Sequence, residues 1–383
     1  MKRPSTGTSS QLVQLCVGYF ASYVLTGVLV KYFTVLRAPK MGEFTYLFNN
    51  TAASSMLCVV AVLAMGWIGR LALSSNRSIA VGALKVPAEA AYIIPSGICT
   101  AVVIPTTTLM YSLPISVMVA MVIMRGSVIV ISRLVDEVQI RQGLLKRRVY
   151  GEENIAVLFA LLAVATNVLL LPFEDYLYAH GVALPAWSGY KPGASHGSFD
   201  FLHNPVAMTI LGSYIVAYAA RIYIMNYYKN TRGKGVKLDN RGFFAVEQLS
   251  ATAMMMLVGV LMVVGPMAFG WTDKRVVEFS QAAFHPDPAA LIAGLPYALV
   301  AFFSVFIFMF EGRTATFAGL VNRLTSLLAG TTATLLLWLL FKQKFPTIQD
   351  WVSAGFILVA VYFLTRAEKR RTTELAMEVQ RAS

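Results

Sequence analysis

The chain of 383 residues is 57% hydrophobic and 13% charged, about half the charged share of a soluble domain. That much apolar surface needs a bilayer as solvent, which excludes a soluble or disordered protein. The formal charge of +13 is read as Lys and Arg gathered on one membrane side during insertion, so no nucleic-acid partner is expected.

A 30 Å hydrocarbon core is crossed by roughly 20 apolar residues in a helix. The chain offers ten such stretches: Gln11 to Tyr32, Phe44 to Ile68, Ala88 to Tyr111, Leu113 to Leu134, Asn154 to Phe173, Pro205 to Tyr227, Phe244 to Phe269, Ala290 to Phe310, Ala315 to Phe341 and Ile348 to Leu364. Helices are expected because every backbone N–H and C=O must be satisfied within the span, and no barrel-like alternation is present. The first stretch lacks a clear cleavage site and is read as a retained helix.

With the N-terminus placed inside, 21 Lys and Arg fall on the cytoplasmic side and 8 on the other. This bias places both termini in the cytoplasm and favours an even helix count. The longest exterior connection, 174 to 204, holds His180, His196 and His203, and the fourth His, His285, is also in a connection. No helix pairs two histidines, Cys16, Cys58 and Cys99 all lie in apolar stretches, and no metal or other cofactor is expected. The segment Val135 to Glu153, with Arg141, Lys146, Arg147 and Arg148, is expected to lie on the cytoplasmic leaflet as a basic interfacial helix.

The basic stretch 228 to 242 serves as the cytoplasmic linker. Residues 1 to 227 contain a first five-helix repeat (11 to 173), the exterior loop and the sixth helix, and residues 243 to 383 contain helices seven to ten and the tail. Arg125-Gly126-Ser127 and Asn322-Arg323-Leu324-Thr325-Ser326 give the two halves similar apolar helices with a mid-span Arg. Five being odd, such halves enter the membrane with opposite polarity. The expected fold is therefore an all-α integral membrane protein with ten transmembrane helices in two inverted five-helix repeats.

Intramembrane charge is costly, about 2.5–3.5 kcal/mol on insertion scales, and usually faces a cavity or a partner. The bases are Arg125, Arg221 and Arg323, and the clear acid is Glu247. Tyr214, Tyr218 and Arg221 share one helix face at i, i+4, i+7, and Tyr19 and Tyr23 repeat the pattern on the first helix. Tyr stripes with Arg grip planar or anionic ligands, but they also serve as interfacial anchors, and both readings stand. With Asn49 and Asn322 these residues form the candidate solute-binding set. Glu247 is the candidate proton-coupling group.

Pro95-Ser96-Gly97-Ile98-Cys99-Thr100, Thr108-Leu109-Met110-Tyr111 and Met124-Arg125-Gly126-Ser127-Val128-Ile129-Val130 resemble the third and fourth helices of the drug/metabolite transporter superfamily. The resemblance is to its nucleotide-sugar-transporter-like branch, the solute carrier family 35 and chloroquine-resistance-transporter-like proteins. It implies ten helices in two inverted halves, cytoplasmic termini and alternating access. Val122-Ile123-Met124 stands where the family has Gln-Met-Leu, the 135–153 turn is longer, and the lumenal cysteines are missing. The substrate therefore stays open. The function expected is secondary transport of a small polar, anionic metabolite, with the solute and the lipid bilayer as partners and room for a homodimer.

The alternatives are a multi-span enzyme, such as a glycosyl or acyl transferase, and a channel or scaffold. The enzyme would need a catalytic His or carboxylate pair, and the channel rings of charge. The sequence offers neither, nor a P-loop.

Overall fold

The computed structural model describes residues 9–68, 78–81, 84–144, 150–183, 204–231, 239–308 and 315–382. His196, His203, the 232–238 part of the linker and the 145–149 part of the basic turn lie outside the described residues. Helix accounts for 85% of the structure, as the absence of water from a bilayer interior requires. The helices are α1 (Ser9–Lys31), α2 (Glu43–Ala64), α3 (Ala90–Ser112), α4 (Val117–Arg141), α5 (Gly151–Val168), α6 (Leu170–Ala179), α7 (Pro205–Thr231), α8 (Asn240–Ala268), α9 (Lys274–Phe284), α10 (Pro288–Phe308), α11 (Ala315–Phe341) and α12 (Ile348–Ala382). A π-turn, Tyr32–Leu36, extends α1, and a short antiparallel hairpin pairs Ser78–Val81 with Leu84–Pro87.

Among the described residues nine helices are long and apolar enough to cross a membrane, which makes the chain a multi-pass α-helical membrane protein. The expected fifth span, Asn154 to Phe173, is divided at Leu169 between α5 and α6. Pro172 lacks the N–H that would bond to the Val168 carbonyl, which interrupts the backbone ladder there.

Other boundaries follow local chemistry. Gly66 and Gly143 adopt positive φ just past α2 and α4, where the left-handed turn returns N–H groups to the last free carbonyls. The basic interfacial helix expected from Val135 is not separate. Val135 to Arg141 continues α4, carried by the i,i+4 pairs of Glu137 with Arg133 and Arg141.

Within the bundle α12 lies along α5, α3 packs on α7 and α8, and α10 packs on α1 and α2. Helix α1 also meets α11, α4 meets α5, α7 and α11, and α2 meets α8. The short amphipathic α9 sits between α2 and α8, with Phe279 inward and edge-on to Phe48. Lys31 donates to the Leu113 carbonyl, which puts the α3–α4 turn at the same end of the bundle as Arg37. From there α4 runs 25 residues, about 37 Å, to the opposite end at Gln142.

Candidate site at the centre of the bundle

Tyr19 and Tyr23 stand one turn apart on α1 with their rings edge to face at 4.9 Å, because i and i+4 project from one helix face. Arg125 of α4 reaches them: its Nη2 donates to Tyr23 Oη at 2.6 Å and to Tyr19 Oη at 3.4 Å, and its guanidinium lies over the Tyr23 ring at 5.3 Å. Tyr19 in turn donates to Asn322 Oδ1 (3.1 Å), and Asn322 Nδ2 donates to Ser304 Oγ (3.2 Å). One hydrogen-bonded chain thus crosses α4, α1, α11 and α10. Tyr214 and Tyr218 of α7, with rings 5.3 Å apart, lie within electrostatic reach of Arg125.

Arg125 is only 3% exposed, yet among the described residues no carboxylate lies within ion-pairing distance of it, and its Nε has no hydrogen-bond partner. Arg323, next to Asn322 on α11, repeats the situation. Its Nη2 donates to Ser132 Oγ at 2.8 Å, its Nε is unpartnered, and no described acid pairs with it. A buried guanidinium with a free N–H is an expensive arrangement in an apolar medium. An anion that accepts that N–H removes most of the penalty, and the planar fork suits a carboxylate or phosphate.

Arg221 and Glu247 form a separate centre. Arg221 Nε and Nη2 donate to Glu247 Oε1 (2.8 Å) and Oε2 (3.0 Å), and Ser96 and Thr100 donate to Oε1 at 2.7 and 3.2 Å. Three helices, α3, α7 and α8, close on this pair, and Gly97 lets α3 approach. A Cβ there would sit 2.6 Å from the Glu247 carbonyl oxygen.

Of the residues singled out in the sequence, Tyr19, Tyr23, Arg125 and Asn322 are thus joined directly. Tyr214 and Tyr218 stand beside them, with Arg323 adjacent on α11. Arg221 is engaged by Glu247. Asn49 lies elsewhere, at the Arg37 end, where its Oδ1 accepts from the Asp287 N–H and its Nδ2 donates to the Thr45 carbonyl. Ser304 and Ser132 escape the sequence reading, and Ser96 and Thr100 enter it only through the motif of the third helix, because Ser and Thr abound in these helices and only the tertiary fold selects these four. Asn50, bonded to Thr108 with a buried Oδ1 left over, is the neighbour of Asn49 that faces the core.

No family model and no curated protein matches the chain. A solved chain described only as "Crystal structure of protein" aligns with 95% of this chain and 99% of its own length, at 16% identity and a TM-score of 0.48. That likeness is too weak to carry an argument.

Proposed function

We propose that the protein is a secondary transporter of a small anionic metabolite, nucleotide-sugar-like or another organic anion, working by alternating access between two inverted five-helix halves. The observation that carries the reading is Arg125, a buried cation without a counter-ion among the described residues, held by two tyrosines between helices of both halves. Arg323 adds a second buried cation on α11 with no ion pair among the described residues, and Tyr214 and Tyr218 add aromatic walls.

The duplication draws its support from position. Helices two to five of each half begin 197 or 198 residues apart: Glu43 and Asn240, Ala90 and Pro288, Val117 and Ala315, Gly151 and Ile348. An offset of 198 also relates Lys31 to Lys229, Asn49-Asn50 to Glu247-Gln248, and Arg125 to Arg323. Exchanging each helix for its counterpart maps neighbours onto neighbours: α1 with α10 becomes α7 with α3, and α2 with α10 becomes α8 with α3.

Glycine follows the same rule. Gly97 makes room for the α8 backbone at Glu247, and Gly294 makes room for the α2 backbone at Asn50. On this reading the repeat boundary falls between α6 and α7, and α5 with its α6 extension is the fifth span. Such an architecture exposes one central site alternately to either face.

Uptake by sealed proteoliposomes of a panel of labelled anions (nucleotide sugars, sugar phosphates, dicarboxylates), each against a neutral analogue, tests the reading. Accumulation or exchange of at least one anion that Arg125→Ala abolishes is the expected result. Uptake limited to neutral or cationic solutes, or uptake indifferent to Arg125→Ala, overturns it.

A further inference from the structure

Side-chain contacts of two different kinds join the two halves of the chain at opposite ends of the bundle. At the Arg37 end, Arg37 Nη1 meets Asp287 Oδ2 at 2.7 Å. Asp287 Oδ1 accepts the Ala289 and Ala290 N–H groups and so caps α10, while its own N–H bonds to Asn49 of α2. Asp287 therefore ties the exit of α1 to α10 through its carboxylate and α2 to α10 through its backbone N–H. Beside it, Tyr32 and Phe341 close α1 against α11 at 5.8 Å.

At the opposite end, α4 and α7 are joined by polar groups. Tyr223 Oη donates to Gln142 Oε1 (2.8 Å), Gln139 Nε2 donates to the Tyr223 carbonyl (2.9 Å), and Asn226 Nδ2 donates to Asp136 Oδ1 (3.2 Å). Each set crosses from the first half of the chain to the second. Both sets are partly open to solvent: Arg37 and Asp287 retain 34% and 23% exposure, and the Tyr223–Gln142 bond is exposed. Solvent-exposed contacts of this kind are weak on balance, little enough for a bound solute to outweigh.

We infer that these are the two opposing latches of the path to Arg125, an inference that rests on the transport reading above. The Arg37–Asp287 pair holds one end shut, and the Asp136–Asn226 and Gln142–Tyr223 bonds hold the other. Breaking either set opens the central site towards that end alone.

Thr107 of α3 is a suitable reporter. It is buried (3% exposed) and its hydroxyl bonds to the Val103 carbonyl of its own helix. In a chain carrying Cys16→Ser, Cys58→Ala, Cys99→Ser and Thr107→Cys, a membrane-impermeant maleimide is added to each face of sealed vesicles in turn. Labelling in the parent is slow from both faces. Asp287→Asn should accelerate it at least tenfold from the Arg37 face only, and Tyr223→Phe with Gln142→Ala should do so from the other face only. Arg37→Gln should accelerate labelling from that same Arg37 face, and combining it with Asp287→Asn should add nothing further.

Hydrogen exchange of residues 37–46 in the chain with its native cysteines gives a second reading, with faster exchange expected in Asp287→Asn. Equal acceleration from both faces, no acceleration, or additive acceleration in the Arg37→Gln/Asp287→Asn pair overturns the latches. Neither readout needs a transported solute. Side-specific labelling with no anion taken up would keep the latches and remove the transport reading, and anion uptake with unchanged labelling would do the reverse.

Discussion

Arg125 gains two tyrosine hydroxyls and one ring face in place of a counter-ion, and each of these is lost or kept differently by substitution. Lysine keeps the charge but cannot span both hydroxyls with a planar fork. Hydrogen bonds to a charged group contribute about 1.5–3 kcal/mol, so Arg125→Lys should raise the half-saturating anion concentration roughly ten- to a hundredfold in proteoliposome uptake. Unchanged affinity would move the site away from Arg125. Glu247 calls for a different expectation, because its carboxylate accepts from Arg221, Ser96 and Thr100 and so is held as the charged partner of a buried pair. Removing one member of such a pair strands the other, at about 3–5 kcal/mol. Glu247→Gln should therefore lower thermal stability in detergent, and adding Arg221→Gln should recover part of the loss. A stable Glu247→Gln variant that exchanges solute but no longer accumulates it along a proton gradient would restore Glu247 as a proton carrier. At Asp287 burial pushes the carboxyl up, but the Arg37 guanidinium and the Ala290 and Ala289 N–H groups outweigh it and hold the group below the ordinary aspartate range. A depressed folded value means its stabilisation is fully present above the unfolded pKa of about 3.9 and is lost as pH falls through the folded value. The melting temperature of Asp287→Asn should accordingly trail that of the parent at pH 5 to 8 and converge with it only below the unfolded value.

The helices themselves were legible wherever apolar length alone decides. The first, third, sixth and ninth expected spans match α1, α3, α7 and α11 within a few residues at each end, because a lipid core of fixed thickness sets the length. Legibility ended where a local event overrides hydropathy. Pro172 divides the fifth span, and the Arg133–Glu137–Arg141 ladder carries α4 about two turns past Leu134. The amphipathic α9 also escaped the sequence reading, being too short and too charged to register as a span. Its role is set by Glu278, whose Oε1 accepts the Phe44 and Thr45 N–H groups and caps α2 from outside. A carboxylate at that position satisfies two free donors and complements the helix dipole. Glu278→Ala should cost about 1 kcal/mol, the typical value for a lost cap, and should speed hydrogen exchange in the first turn of α2 while leaving α8 unchanged. At the other contact type, Gly97→Ala drives a methyl group against the Glu247 carbonyl and the Ser250 side chain. Overpacking of this sort costs about 1–3 kcal/mol, and a variant as stable as the parent would mean that α3 and α8 are not in close contact.

At the scale of the whole molecule, the sequence identified the charged and aromatic residues of the centre without revealing which of them meet. Tyr19 and Asn322 are 303 residues apart, and no local pattern announces a bond between them. One acid and three bases left Glu247 three possible partners, and only the fold selects Arg221, just as it sends Asn49 to Asp287. The proposed repeat predicts a topology that can be tested without a solute. If α7 is the inverted equivalent of α1, then Lys31 and Lys229, each in the last turn of its helix, belong on opposite faces of the membrane. The packing agrees with this: Lys31 bonds at the α3–α4 turn, while the end of α7 meets the end of α4 at Gln142. If the excess of 21 to 8 in Lys and Arg marks the cytoplasmic side, the α7 end faces the cytoplasm. Single cysteines at Lys40 and Thr231, both exposed, should behave oppositely in intact cells. An impermeant thiol reagent should label Lys40→Cys directly and Thr231→Cys only after permeabilisation. Labelling of both from outside would break the inverted relation of the halves, and the reverse pattern would keep that relation but turn the molecule over in the membrane.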